Sequence, residues 1–312
     1  MTISSTEHVP VLAQELIDLL QLEPQHIVVD LTLGRGGHAK LVIERLSKEG
    51  TFIGLDADKR QIEYVSTSMG LINQTHTQTH TPQTHTESQA RTVLLHSNFD
   101  KVGQVLKSLN IACVDRIYAD LGLSSVQLLD EKRGFSFQSS TLDMRLDPSS
   151  PHTAEEVVNT LTEADLNEIF EQYGEEREAS RIAEAIVTSR KTHPINTAKE
   201  LSEIVRQAKR NHFKKVHPAT QVFQALRIYV NDEFGTLKRM LQQIPQLLCA
   251  HGRFAIITFH SLEDRIVKNT FKQWEKDGIC KRINKKVVSP QWSERKVNPR
   301  ARSAHLRIIE KI

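Results

Sequence analysis

The sequence predicts an α/β protein with a parallel, doubly wound sheet and an inserted all-helical segment. Three observations carry this. Strand-like and helix-like runs alternate through the first 125 residues. A glycine-rich turn follows the first strand-like run, and an acid closes the next one. From about 128 to 231 the β signals vanish, then strand patterns return.

In order, Val11–Leu20 reads as a short helix and 26–31 as a strand. Residues 37–47 read as a helix, 51–56 as a strand and 59–70 as a helix. Residues 92–96 and 115–121 complete the set as strands, which right-handed crossovers would place in one sheet. Within 128–231, Thr153-x-x-Glu156, Thr162-x-x-Asp165 and Thr197-x-x-Glu200 are capping-box patterns. Leu166, Ile169, Phe170 and Tyr173 follow helical spacing, as more loosely do Ile182, Ala183, Ile186 and Val187. A helix at 233–249, a turn at Gly252, a strand Arg253–Phe259 and a last strand Ala304–Ile309 close the chain. The expected domains are therefore 1–127, an insertion at 128–231, and the continuation at 232–312. The insertion leaves and rejoins the sheet at its ligand-binding edge, a useful place for a lid or a substrate-reading domain.

Residues 73–90 repeat Thr-His-Thr three times, with His76, His80 and His85 among Gln and Pro. A metal tract and a tandemly expanded, disordered loop both fit this composition, and the low apolar content favours the loop. No function is assigned to it.

Composition narrows the class. At 38% hydrophobic and 25% charged residues, the chain reads as a globular protein. It has no apolar run long enough to cross a bilayer and no secretory pattern at Met1–Pro10. Cys113, Cys249 and Cys280 are far apart and odd in number, matching neither a disulfide framework nor a zinc spacing, so a reducing cytoplasm is expected. No metal is expected. Net charge is only +3, yet it is segregated. Residues 155–178 hold nine acids against Arg177, 206–215 hold five bases (Arg206, Lys209, Arg210, Lys214, Lys215), and 281–307 hold nine bases against Glu294. Solvated faces and a polyanion partner are the two readings, and the length of the C-terminal imbalance favours the polyanion.

The chemistry sits at strand ends. Asp30-Leu-Thr-Leu-Gly34-Arg-Gly36-Gly37-His38 lets backbone approach a ligand closely, before a helix with free N–H groups. Asp56, 22 positions after Gly34, is placed to accept from ribose hydroxyls. Gly34-x-Gly36-x-x-Ala39 fits a dinucleotide fingerprint equally, so the loop leaves the cofactor open. Asp120-Leu-Gly-Leu-Ser-Ser125 ends the fourth strand. An acid there either accepts an amine N–H, holds a cofactor or caps a turn.

Ten ordered motifs bear a resemblance to one family. They are His8-Val-Pro-Val-Leu12, Gly34–His38, Asp120–Ser125, Arg133-Gly-Phe-Ser-Phe137, Leu142-Asp-Met-Arg145, Tyr173-Gly-Glu-Glu-Arg177, His217-Pro-Ala-Thr220, Phe223-Gln-Ala-Leu-Arg227, Phe259-His-Ser-Leu-Glu-Asp-Arg265 and Asn298-Pro-Arg-Ala-Arg302. Together they resemble the bacterial ribosomal RNA small-subunit (cytosine-N4)-methyltransferase family (RsmH, formerly MraW). The likeness spans nearly the whole chain except 73–90 and about 272–296. It implies a class I S-adenosylmethionine methyltransferase fold, Rossmann-like, with an inserted helical domain. It implies methylation of a cytosine N4 in the decoding centre of 16S rRNA, near the P site, within the small ribosomal subunit.

By position, the resemblance places cofactor contacts on Gly36, Gly37, His38, Asp56, Phe99, Asp120 and Gln127. Asp120 is also the candidate acceptor for the substrate amine. For RNA, Arg133, Arg145, Arg227, Arg265, Arg300 and Arg302 are candidates, because guanidinium groups bond phosphates and stack on bases. Internal salt bridges are their alternative role. His260 and Glu263 flank the same edge, and an imidazole there is a candidate proton acceptor. An NAD-dependent oxidoreductase and a non-catalytic RNA-binding assembly factor are the competing classes. The first gains nothing from Asp120–Ser125 or the basic tail, and the second is opposed by the intact loop and both acids.

Overall fold

The computed structural model describes residues 10–70, 90–210 and 217–312, with Ser125 and Arg300 described by backbone alone. The motif residues His8 and Val9, almost all of the His/Thr repeat, and Lys214 and Lys215 lie outside the described residues. The chain forms two compact units, Met1–Gly122 with Thr236–Ile312, and Leu123–Gly235.

The first unit carries helices α1 (Ala13–Leu20), α2 (Gly37–Ile43), α3 (Lys59–Ser68) and α4 (Val102–Ser108). Its strands up to the insertion are β1 (Ile27–Asp30), β2 (Thr51–Asp56), β3 (Arg91–His96) and β4 (Val114–Asp120). The second unit holds α5 (Ser125–Leu129), α6 (Ala154–Thr160), α7 (Glu163–Gly174), α8 (Ala179–Arg190), α9 (Ala198–Ala208) and α10 (Thr220–Val230). The chain returns through α11 (Glu233–Leu247), β5 (Leu248–Thr258), α12 (Ser261–Lys276), β6 (Cys280–Arg282), α13 (Trp292–Val297) and β7 (His305–Lys311).

The sheet order is β3-β2-β1-β4-β5-β7-β6. β1 to β5 run parallel, whereas β7 is antiparallel to both β5 and β6. This mixed order is the class I methyltransferase topology that the resemblance implies, and the expected parallel sheet is corrected at β7, which alone runs against the others. Direction was hidden because a local apolar run is the same in either sense. Only the connection through α12 and β6 fixes it.

Alternation along the strands builds two cores. Val29, Leu31, Ile53, Leu55, Ile117, Phe254 and Ile256 face one side, under α4, α11 and α12. Val28, Phe52, Tyr118, Ala255 and Ile257 face the other, with Leu16, Leu20, Val42 and Val65 from α1, α2 and α3. Every parallel strand therefore ends with its carboxyl terminus on one edge.

The second unit contains no strand among its described residues. Three of its helices start as their sequences direct. Thr153, Thr162 and Thr197 each accept from the backbone N–H three residues on, and Glu156, Asp165 and Glu200 reach back. Leu166, Phe170, Ile182, Ile186, Leu201, Val205, Phe223 and Leu226 fill its core. α7 approaches α10 closely at Gly174, where an added Cβ would lie 2.6 Å from the Gln221 carbonyl oxygen.

One expectation is overturned. Cys113 and Cys249, 136 residues apart, form a disulfide with Cα atoms 5.1 Å apart. Pairing of Val114 with Leu248 brings the starts of β4 and β5 together, a contact no cysteine spacing could reveal. Cys280 remains a thiol, and burial pushes its pKa up to about 11.

Candidate functional site

The glycine loop grows out of the sheet. Beyond β1, Leu31 N donates to the Tyr118 carbonyl (2.9 Å) and Leu33 N to that of Leu55 (2.8 Å), so the ladder continues into the turn. Gly34 and Gly36 then take φ of +51° and +76°, the left-handed region that side chains disfavour. Gly36 is the N-cap of α2, and a Cβ there would crowd the Val65 methyls at 3.2 Å. Arg35 folds over the Tyr64 ring, its guanidinium carbon 3.2 Å from the centroid.

Asp56, at the end of β2, ties this loop to its neighbour. One carboxylate oxygen accepts from Gly34 N and the other from Asp58 N, both at 2.8 Å. Burial raises its pKa to about 6 despite those two bonds. Its carbonyl accepts from Ser97 N at 2.9 Å, which fixes the segment leading to Phe99. Asn98 caps the short turn Phe99–Lys101, and Phe99 is half-buried against the sheet.

Asp120 ends β4. Its backbone N donates to Thr32 Oγ1 (2.6 Å), and one side-chain oxygen, Oδ1, is shielded and has no hydrogen-bond partner among the described residues. The other lies 3.6 Å from His38 Nδ1. His38 is buried, and its Nε2 faces the Val11 carbonyl at 2.9 Å, so that nitrogen carries a proton. Burial holds the Asp120 carboxyl well above the usual range, reinforced by the charges of Asp30 and Glu263. Glu263, buried at the start of α12, accepts from Phe259 N (3.0 Å), and one of its carboxylate oxygens lies 2.9 Å from His260 Nε2.

Beneath them lies a group that the sequence reading did not single out. Asp30 is 1% exposed and accepts from Tyr118 Oη (2.8 Å) and Thr32 N (2.9 Å). It closes an apolar run just as Asp56 and Asp120 do, a signal that was there to be read. Burial is the main cause that raises its pKa to about 7. The unfolded carboxyl titrates near 3.8, so between those values the folded state holds a proton the unfolded chain lacks. Stability from this group is present at low pH and is lost as pH rises to about 7. Asp30→Asn is therefore expected to flatten that dependence, by an amount on the order of 4 kcal/mol between about pH 4 and pH 8. Urea unfolding of both proteins at several pH values measures it, and parallel curves would refute the assignment.

The remaining candidates separate. Gln127 belongs to the second unit, buried in a capping box where its Oε1 accepts from Ser124 N at 2.9 Å. Arg133 is buried and donates to the carbonyls of Arg145 and Leu146. Arg145 holds Asp143 in a fork, and Arg227 does the same with Glu233. Arg265 and Arg302, in the first unit, are exposed, while of Arg300 only the backbone is described. Among the described residues no helix is long and apolar enough to cross a membrane.

Comparison with known proteins supplies a second line. The MraW methylase family profile matches residues 5–312. The ribosomal RNA small subunit methyltransferase H of Elusimicrobium minutum is 42% identical over 307 residues, covering 98% of each chain. Its namesake in Clostridioides difficile is 40% identical, over 98% of this chain and 99% of that one. That of Endomicrobium trichonymphae is 43% identical over 97% and 98%.

Proposed function

Since the chain belongs to the MraW methylase family, we propose that it transfers a methyl group from S-adenosylmethionine to the N4 amine of a cytosine in small-subunit ribosomal RNA. The whole-length likeness to ribosomal RNA small subunit methyltransferases supports the RNA substrate. The observation that carries the chemistry is Asp120, with a buried oxygen at the end of β4 that has no hydrogen-bond partner among the described residues. In our reading the target lies in the decoding centre of 16S rRNA near the P site, in the small subunit or a late precursor, in the cytoplasm.

The residues fit the cofactor. Gly34 and Gly36 take the left-handed conformation that lets the loop backbone turn at the strand end, and Asp56 keeps lone pairs beyond its two amide bonds for ribose hydroxyls. Gly37 and His38 line the start of α2, and Phe99 supplies an apolar ring for adenine. The bound cofactor supplies a methyl group on a positively charged sulfur.

Asp120 then has a specific task. A cytosine amine is a weak nucleophile because its lone pair is delocalised into the ring. A carboxyl oxygen accepting one N–H turns the amine and frees that lone pair for in-line attack. A positive charge brought to this edge favours the ionised form of Asp120 over the neutral form that burial imposes. The surplus amine proton leaves to water or to His260 after transfer. Arg265 and Arg302, being exposed, are the better of the RNA candidates. Arg133, Arg145 and Arg227 serve it by holding the second unit's loops, through the carbonyl and carboxylate contacts above.

Calorimetric titration with S-adenosylmethionine and with NAD tests the cofactor, with binding expected for the first alone. NAD affinity without S-adenosylmethionine affinity would overturn the reading.

A further inference from the structure

We propose that Trp292 and the lysines around it form a stacking platform for single-stranded RNA, outside the pocket that holds the cofactor. The proposal rests on the RNA methyltransferase reading and extends it to α13 and the lysines before it, outside the family motifs.

Trp292 opens α13 and is 75% exposed, and Val297 at the other end of that helix is 78% exposed. Tryptophan is a large flat aromatic side chain, and an exposed indole offers a face on which another ring can stack. Lys296 lies one helical turn on, with Nζ 5.3 Å from the ring centroid, so the indole face is already paired with a cation. Lys281, Lys285, Lys286, Lys296 and Arg302 are all exposed in the same tract.

Two other arginines of the tract are paired internally. Arg282 pairs with Glu275, and Arg307 forks onto Asp264 at 2.7 and 2.9 Å. The one acid of the tract, Glu294, accepts from Leu12 N at 2.9 Å. That bond engages one oxygen of the acid and anchors α13 to the segment whose Val11 carbonyl holds His38. An exposed ring with uncompensated cations, fastened to the backing of the glycine loop, suits one polyanion chemistry: bases stack on the indole while lysines neutralise phosphates. An acidic protein surface would meet the lysines but has no use for an open aromatic face.

The other tryptophan, Trp274, is 8% exposed and stacked on Phe271, so Trp292 dominates any ligand-dependent change in emission. The test titrates wild type and Trp292→Ala with a single-stranded oligoribonucleotide of roughly ten residues and with an acidic peptide. Methylation of small-subunit RNA is assayed in parallel. RNA should quench the wild-type signal, and Trp292→Ala should raise KM for RNA about 5- to 100-fold with kcat unchanged. Trp292→Phe should recover part of the loss, and Lys296→Ala should reduce the salt dependence by about one ion. Unchanged KM with unquenched emission in an enzyme that methylates RNA overturns the platform and leaves the activity standing. Quenching by the peptide alone also overturns it. Quenching by RNA in a protein that never transfers a methyl group would keep the platform and sink the enzymatic reading.

Discussion

Asp120→Ala is expected to lower kcat for RNA methylation by about 100- to 1000-fold, the scale on which one positioned polar group acts on a developing charge. Loss of activity alone would not distinguish chemistry from misfolding, but here the two effects have opposite signs. In the free protein Asp120 is costly. One oxygen has no hydrogen-bond partner among the described residues, burial opposes its charge, and Asp30 and Glu263 repel it. Replacing the carboxyl by a methyl group removes that penalty, so the variant should unfold at an equal or higher temperature than wild type. A group kept at a cost to the fold and needed for turnover is what a reacting centre requires. Full activity in Asp120→Ala, or a large drop in melting temperature, would contradict the role. Single-turnover rates and thermal melts on the same preparation decide it.

Asp56→Ala should act on the cofactor instead. Its carboxylate organises Gly34 and Asp58 from one position, and in the proposed complex it also receives ribose hydroxyls. Hydrogen bonds to a charged acceptor contribute about 1.5–3 kcal/mol each, so losing them should weaken S-adenosylmethionine binding about 100-fold or more. KM for RNA should stay near wild type. Calorimetry reads the first quantity and steady-state kinetics the second. An unchanged dissociation constant would remove Asp56 from the cofactor site.

These two acids show what the chain makes plain by itself. Each ends an apolar run, and a parallel sheet gathers such ends on one edge, so their grouping follows from strand periodicity alone. The helix starts at Thr153, Thr162 and Thr197 were equally legible, because a capping box is complete within four residues. What stayed hidden depends on partners distant in sequence. The reversal of β7, the three-residue β6 and the Cys113–Cys249 bridge all arise from pairings across the sheet. The arginines fall between these cases. Their sequence motifs show charge, but only the fold shows that Arg133 is spent on the carbonyls of Arg145 and Leu146 while Arg302 faces outward. His38 gained a meaning its motif did not carry, since its Nε2 is held by the Val11 carbonyl.

The central claim is that Asp120 directs a methyl group to an exocyclic amine. Small-subunit RNA from a strain lacking the enzyme, incubated with the protein and methyl-labelled S-adenosylmethionine, can be digested to nucleosides and resolved by mass spectrometry. The account predicts label in N4-methylcytidine at a single decoding-centre position. Label on cytosine C5, on a ribose oxygen or on another base, or none at all, would contradict it.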